Sequence, residues 1–363
     1  MSPIVNDELI HQRLHNQHLL GPKFANAADA VSYFGAVQGQ DYLYSLWALG
    51  LRIEGTTEAG IEQAINDRLI IRTWPLRGTI HYVTAADARW MVKLSAERVL
   101  GSARTRFRQL ELDDDSFNRS RKLITAILRE HGPMARPLLL KRLDEGGVST
   151  AGQRGYHMLW YHAHQGLIGI GPREGKQPTI VLLDEWLPAT KERARDEASA
   201  ELARRYFTSH GPATIKDYTW WSGLAPAEAR SGMESIKSLL VSQKIGETEY
   251  WSFPSPPSEE MSESTAHLLP FLDEYLVAYK DRDAVQPPEY NALVPSGNVL
   301  FHPPFLINGR VAGIWKRQLM KDRVVITVTP LRTLAQEERE TLAAAAERFG
   351  GFVGLPTDLS FVS

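Results

Sequence analysis

The chain of 363 residues contains no cysteine, which excludes disulfides, thiol nucleophiles and cysteine-ligated metals. It has no apolar run approaching the roughly 20 residues needed to span a bilayer. Its first residues, MSPIVNDELIHQRLHNQHLL, lack the basic-then-apolar order of a signal peptide. These absences predict a soluble, cytoplasmic protein with no membrane contact. Net charge is scarce too: 41 Lys+Arg against 43 Asp+Glu leave −2, and so no overall attraction to a polyanion. That average conceals unlike segments. From Arg68 to Arg142 there are 16 basic and 7 acidic side chains, a local +9, whereas residues 1–67 carry −5 and the remainder −6. A basic block inside an acidic chain is the pattern expected when one face meets phosphate.

What the chain does have is 43% hydrophobic residues, enough for two or three domains with cores of their own. Helix candidates run over Asp7–Gln17, through Val31, Phe34 and Gly35 behind a cap at Ala27-Ala28-Asp29, over Asp41–Leu51 with Asp41 as N-cap, and over Glu58–Asn66 behind Thr57. Two strand candidates follow, Leu69–Trp74 and Thr79–Val83, joined by Pro75-Leu76-Arg77-Gly78. Helices followed by a β-hairpin is the order of a winged helix. The order recurs through His131-Gly132-Pro133, a helix over Tyr156–Gln165 and two strands flanking Gly171–Pro178. It recurs again through His210-Gly211-Pro212, a helix over Ala225–Leu240 and strands near Ile245–Trp251. Each His-Gly-Pro reads as a helix end: glycine in a left-handed cap, proline opening the next segment, histidine at a C-terminus where positive charge is favoured.

Beyond Pro254-Ser255-Pro256-Pro257-Ser258 the texture changes to short β-like runs. These are His267–Phe271, Asn298–Phe301, Phe305–Ile307, Val311–Lys316 and Val324–Thr329; a helix over Leu331–Phe349 ends them, capped by Gly350-Gly351. The expected fold class is therefore α+β, with tandem winged-helix domains followed by a small C-terminal β-barrel-like domain. The expected boundaries are 1–118, 119–190, 191–257 and 258–363.

Three stretches carry the candidate chemistry. AVQGQD sets Gln38 and Gln40 one residue apart just before an apolar helix, and buried amides need partners. RTWPLRGTIHYV puts Arg72 and Arg77 around a rigid Trp-Pro turn, as phosphate or groove contacts at a wing tip, with His81 on one face of the following strand either as a further contact or as a satisfied structural histidine. Arg104, Arg106 and Arg108 are the densest part of the basic block. The spacing of His157, His162 and His164 does not put three ligands on one helix face, so no metal is expected. Asp281, Asp283 and Glu274 could serve a carboxylate-based hydrolase, although a local ion pair within Asp281-Arg282-Asp283 is the better reading of that segment.

AVQGQD, RTWPLRGTIHYV, the two His-Gly-Pro turns and NGRVAGIWKR together resemble the AlkZ/YcaQ family of bacterial DNA glycosylases, over about His11 to Phe349. The resemblance implies tandem winged helices and a small β-barrel. It implies removal of bulky N-alkylated purines and unhooking of interstrand crosslinks by hydrolysis of the N-glycosidic bond. The family's Gln-x-Gln motif falls on Gln38 and Gln40, which would position the attacking water; Gly39 replaces the apolar residue usual between them and would loosen the backbone there. A barrel hairpin at Asn308-Gly309-Arg310 would face DNA, with Arg310, Lys316 and Arg317 as contacts. The implied partner is alkylated or crosslinked double-stranded DNA, bound by a monomer, without a cofactor and within the nucleoid. A non-catalytic winged-helix regulator is the alternative.

Overall fold

A six-stranded sheet lies at the centre of the first half of the chain, in the order Val37–Gln38, Thr79–Thr84, Ile70–Leu76, Ile168–Glu174, Gln177–Leu182, Met134–Ala135. The computed structural model describes residues 3–254, 264–293 and 302–362. Two hairpins meet in this sheet where Arg72 pairs with Ile170. The strand Ile70–Leu76 is buried along its whole length because helices cover both of its faces. That is why IIRTWPL shows no alternation.

Helix ends follow local chemistry. Asp41 and Thr57 cap their helices as expected, accepting from the Tyr44 and Gly60 amides. The helix Ala27–Phe34 is instead capped by the preceding Asn26, which accepts from the Asp29 amide. The first hairpin turns at only two residues, Arg77 (φ 52°) and Gly78 (φ 72°), both in the positive-φ region that matches strand twist. Its register slips between Thr73 and Leu76, around Pro75, which has no amide hydrogen to donate.

Helices followed by a hairpin occur three times. Tyr42–Gly50 and Glu58–Asn66 precede the first hairpin. Asp114–His131, Arg136–Glu145 and Arg154–His164 precede the second. Arg195–Ser209, Ile215–Ser222 and Pro226–Glu234 precede Val241–Ile245 and Thr248–Ser252. The last of these helices is shorter than expected and gives way to a 3-10 turn at Lys237–Leu239.

The C-terminal part is a five-stranded sheet, Thr357–Phe361, Val324–Pro330, Arg310–Leu319, Pro304–Ile307, Ala266–Leu268, curled into a half-barrel with open edges. The expected strand Asn298–Phe301 and the linker Ser255–Ser258 lie outside the described residues. The last helix is Gln336–Val353 and runs through Gly350-Gly351 to Gly354. A Cβ at Gly350 would lie 2.6 Å from the Leu355 carbonyl oxygen, so that glycine serves packing and not termination.

The half-barrel shares its core with the first helices. Trp47 and Trp315 donate their indole N–H groups to Leu268 and Leu269 carbonyls, each at 2.6 Å, and both rings pack on Phe349. Burying a ring of this size, roughly 150–250 Å² each, contributes about 4–6 kcal/mol of transfer free energy. A second core joins the central sheet, through Ile71 and Val83, to Tyr206, Phe207 and Trp221 of the third helical unit. Segments from both ends of the chain thus converge on the strand that carries Gln38. Among the described residues no helix is long and apolar enough to cross a membrane.

Candidate active site

The two glutamines lie between a helix end and a helix start. Ala27–Phe34 ends at Gly35 (φ 80°), Val37–Gln38 pairs as an edge strand with Tyr82 and His81, and Asp41 opens the next helix. Gln38 is buried and Gln40 is exposed. The Gln38 carboxamide oxygen accepts from the backbone amides of Gly39 (2.8 Å) and Gln40 (3.1 Å). Two donors on one atom fix that atom as the oxygen, which leaves the NH₂ end free to donate to a ligand.

Gly39 is pinned on every side. Its amide also reaches the Ile80 carbonyl at 2.8 Å, and its carbonyl accepts from Arg72 at 2.6 Å. The loosening expected from glycine is therefore absent. A Cβ there would meet the His81 backbone at 3.5 Å, an ordinary contact.

Behind the motif lies Glu274, 1% exposed. Its carboxylate accepts from the Gln38 backbone amide (2.7 Å) and the Trp221 indole N–H (3.0 Å), and His210 Nε2 lies 3.4 Å away. Burial alone would raise this carboxyl, but contacts with His210 and the Gln38 amide outweigh it and hold the group below its ordinary value. Glu274 is thus an ionised carboxylate at neutral pH. It opens the short helix Glu274–Val277, whose N-cap Asp273 is gripped by Arg52 at 2.8 and 2.9 Å in a fully buried pair. Arg52 also binds the Gln17 side chain, so the first helical segments hold the acid in place.

His81 is fully buried. Its Nδ1 donates to the Thr79 carbonyl at 2.9 Å, and its Nε2 has no partner among the described residues. Burial pushes its pKa down to about 4, so the ring is neutral at pH 7. It faces the core, not a wing surface open to DNA.

Arg72 also departs from the expected phosphate contact. It is 5% exposed, donates to Gly39 and lies over the Tyr42 ring at 4.9 Å. Both faces of its strand are covered, so its side chain turns inward and positions the glutamine loop. Arg77 stays half-exposed at the hairpin tip, over the Trp220 ring at 5.8 Å and 3.3 Å from the Trp220 carbonyl.

The remaining candidates lie farther out. Arg104 and Arg108 are exposed near the end of helix Ala88–Gln109; Arg106 is half-buried and bonded to Gln109 and Gln153. Arg310 pairs with Asp7 at 2.6 Å, and the Asn308-Gly309 turn packs on Ile10 and Leu14, so this hairpin tip is closed against the first helix. Lys316 is exposed, and Arg317 lies over Tyr44 at 4.4 Å, one turn into the helix after the motif. Asp281 and Asp283 are exposed, and Arg282 between them donates to the Leu276 carbonyl, so the expected local ion pair is replaced by a backbone turn.

The residues read otherwise from sequence are Glu274, weighed only as a hydrolase acid, and His210, read as a cap. Arg173 of the second hairpin, over Tyr42 at 4.7 Å, went unnoticed. The signal available was the run DEYLVAYKDR, too polar for its apolar spacing unless the acids are used inside. Among the described residues no group of three or more His, Asp or Glu side chains could hold a metal ion.

Residues 31–352 match the family model described as AlkZ-like, DNA glycosylase AlkZ-like. A curated relative, the interstrand DNA cross-link repair glycosylase of Streptomyces sahachiroi, is 22% identical over 360 residues, covering 95% of this chain and 96% of the relative. The solved structure of Streptomyces sahachiroi DNA glycosylase AlkZ superposes with a TM-score of 0.77 at 20% identity, over 97% of this chain and 98% of that one.

Proposed function

The chain belongs to the AlkZ-like DNA glycosylase family, and from that premise we propose that it hydrolyses the N-glycosidic bond of cationic N-alkylated purines in duplex DNA, including purines joined in an interstrand crosslink. As a glycosylase it is a hydrolase acting on N-glycosyl bonds. The observation that carries the substrate class is the character of the motif: neutral amides backed by the buried, ionised Glu274. Asp41, the neighbouring acid, has its carboxylate engaged by the Tyr44 amide. Nothing in this set supplies a proton to a leaving base, so the base must arrive already positive.

The chemistry then follows. The bond from C1′ to the purine breaks with its electron pair going to the base, which leaves neutral. Positive charge passes to the sugar. The Glu274 carboxylate, one backbone amide behind Gln38, favours that charge without any reorganisation. The Gln38 NH₂ donates to the oxygen of a water, and the Gln40 carboxamide oxygen accepts a hydrogen bond from one of its O–H groups. The remaining lone pair is thereby aimed at C1′. The new C1′–OH₂⁺ gives its extra proton to solvent.

The three helix-and-hairpin units act in this reading as tandem winged helices laid along the duplex. The barrel hairpin that would meet DNA is the exposed one, with Leu319, Met320, Lys321 and Arg323, in place of the closed Asn308-Gly309 turn. The protein works as a monomer on chromosomal DNA in the cytoplasm. The crosslink extension draws on the name of the Streptomyces sahachiroi relative.

The test is single-turnover excision from a duplex carrying one N7-methylguanine, read by alkali-induced strand cleavage. Gln38→Ala and Gln40→Ala should each lower the rate by about 10²–10³ while duplex affinity holds. Glu274→Gln, which keeps the shape and removes the charge, should slow the same step. No excision by the wild type on this or a crosslinked duplex overturns the reading. Equal rates in all the proteins would keep the enzyme and discard the mechanism.

A further inference from the structure

Beside the hairpin tip of Arg77 lies a bay of about 440 Å³ between helices Ala88–Gln109, Ile215–Ser222 and Pro226–Glu234. Its lining carries Arg98, Lys216, Arg230 and Lys280 and no carboxylate. All four cations are exposed, and among the described residues none takes part in an ion pair. Asp281 beside Lys280 and Glu97 beside Arg98 in the chain are exposed, and Asp281 accepts from the Asp283 amide; the other acids nearby are occupied. Asp217 is buried and binds Thr214 and the Lys280 amide, Glu228 pairs with Arg195, and Glu234 pairs with Lys237. Trp220, 42% exposed with its indole N–H tied to the Val277 carbonyl, forms part of the wall.

Four like charges around one concavity repel one another and raise the free energy of the empty bay, unless an anion spends time there. We propose that this bay is a docking site for the phosphodiester backbone of the duplex next to the damaged nucleotide; this rests on the glycosylase reading above. Two features favour a nucleic-acid strand over a small anion. The cations come from four separate segments, which spreads them along a groove and matches successive phosphates better than a single one. Continuity is the second. Arg77 lies over Trp220, a wall residue, and the strand leaving the Arg77-Gly78 tip is the one that pairs with Gln38. A strand whose damaged nucleotide sits at Gln38 passes over Arg77 into the bay. Trp221, next in the chain to Trp220, touches Glu274, so both features stand on one short helix.

The experiment uses the full chain and a fluorescent duplex of about 20 base pairs, with affinity measured across salt concentrations. Each phosphate contact contributes about 0.9 to the slope of log K against log[salt]. Lys216→Ala with Arg230→Ala should therefore flatten the slope by about 1.8 and weaken binding to all sequences alike. Arg98→Ala with Lys280→Ala should do the same independently. Lys237→Ala, a cation already paired with Glu234, should leave the slope unchanged. Single-turnover excision by Lys237→Ala should also match the wild type. An unaltered slope in both double variants, with the wild type binding and excising normally, overturns the bay and leaves the glycosylase reading intact. A wild type that neither binds nor excises removes both. Displacement of the duplex by millimolar inorganic phosphate from the wild type but not from the double variants would make the bay a small-anion site and overturn the strand assignment.

Discussion

The two His-Gly-Pro turns share three letters and a place at the end of a helix, and almost nothing else. His131 is exposed and accepts a hydrogen bond from Arg142 at 2.8 Å. Gly132 sits at φ 74°, in the left-handed region, with open space where a Cβ would go. His210 is fully buried, stacked on Tyr206 at 4.8 Å and bonded to Ser209 Oγ through Nδ1, and its other nitrogen faces Glu274. Gly211 does not need a positive φ: a Cβ there would collide with the Phe207 carbonyl oxygen at 2.5 Å and with Ser252. The first helix also docks here, Asn16 on the Gly211 carbonyl and Arg13 on the Pro212 carbonyl. Local sequence ends a helix in both places. What folds over the end decides whether the histidine is a surface cap or part of the wall behind a reaction centre.

The largest expected difference tests that contrast directly. His210→Ala removes a fully buried ring and opens a cavity beside Glu274. We expect a loss of about 3–5 kcal/mol, as for truncation of a buried ring, with slower excision in the fraction that folds. His131→Ala should stay within about 0.5 kcal/mol, as for an ordinary surface change. Urea midpoints of the two variants against wild type decide it. Equal effects would mean that the two turns are equivalent after all.

Acid sensitivity sharpens the same comparison. Burial lowers His210 below its ordinary value, although the Glu274 contact acts against this. Arg52 faces the same pair and lowers it further. Other buried histidines behave alike: His81, His162 and His164 fall to about 4 and His267 to about 3. A base with a lowered folded-state pKa binds its proton more readily when unfolded, so stability is lost as pH falls below about 6.5. Each such group costs about 1.4 kcal/mol per pH unit until its folded value is reached. Glu274, a lowered acid, loses stability in the same direction but in a lower window, adding its loss only below its ordinary 4.5. The urea midpoint should therefore drop steeply between pH 6.5 and 5, before the carboxylates titrate. A flat midpoint over that interval would mean that these rings are solvated.

Much of this fold was legible in the sequence because it is written in short-range chemistry. Asp41 and Thr57 are caps within reach of their own helices, and Asn308-Gly309 takes positive φ at both residues as such a pair does in a tight turn. The two glutamines stood out as neighbouring amides before an apolar helix, and the family resemblance supplied their role. What escaped was set by distant partners. Arg72 reads as a wing-tip cation until the helices covering both faces of its strand are in place. Glu274 reads as one surface acid among several until it meets Gln38, 236 residues away in the chain. The bay gathers Arg98, Lys216, Arg230 and Lys280, only the first of which belongs to the basic block. A count along the sequence therefore could not show that these four cations meet.

The smallest expected effect concerns a third glycine. Gly211 has no room for a methyl group, and Gly132 has room but a backbone that disfavours one. Gly39 has neither obstacle. Its φ lies outside the positive region, and a Cβ would rest 3.5 Å from the His81 backbone. The bonds that hold it, from Arg72, to Ile80 and to the Gln38 side chain, all use its backbone and survive substitution. A methyl there would also reduce the freedom of the unfolded chain, which favours the folded state by about 0.4–1 kcal/mol when the native conformation tolerates it. Gly39→Ala should therefore keep the excision rate within about threefold of wild type and shift stability by less than about 1 kcal/mol, on the stabilising side. The same change at Gly211 should destabilise by about 1–3 kcal/mol, the usual cost of overpacking. Excision rates and urea midpoints for the two alanine variants, measured side by side, check this. A tenfold slower Gly39→Ala enzyme would mean that the glutamine loop must flex during turnover, and that the pinned geometry is only its resting form.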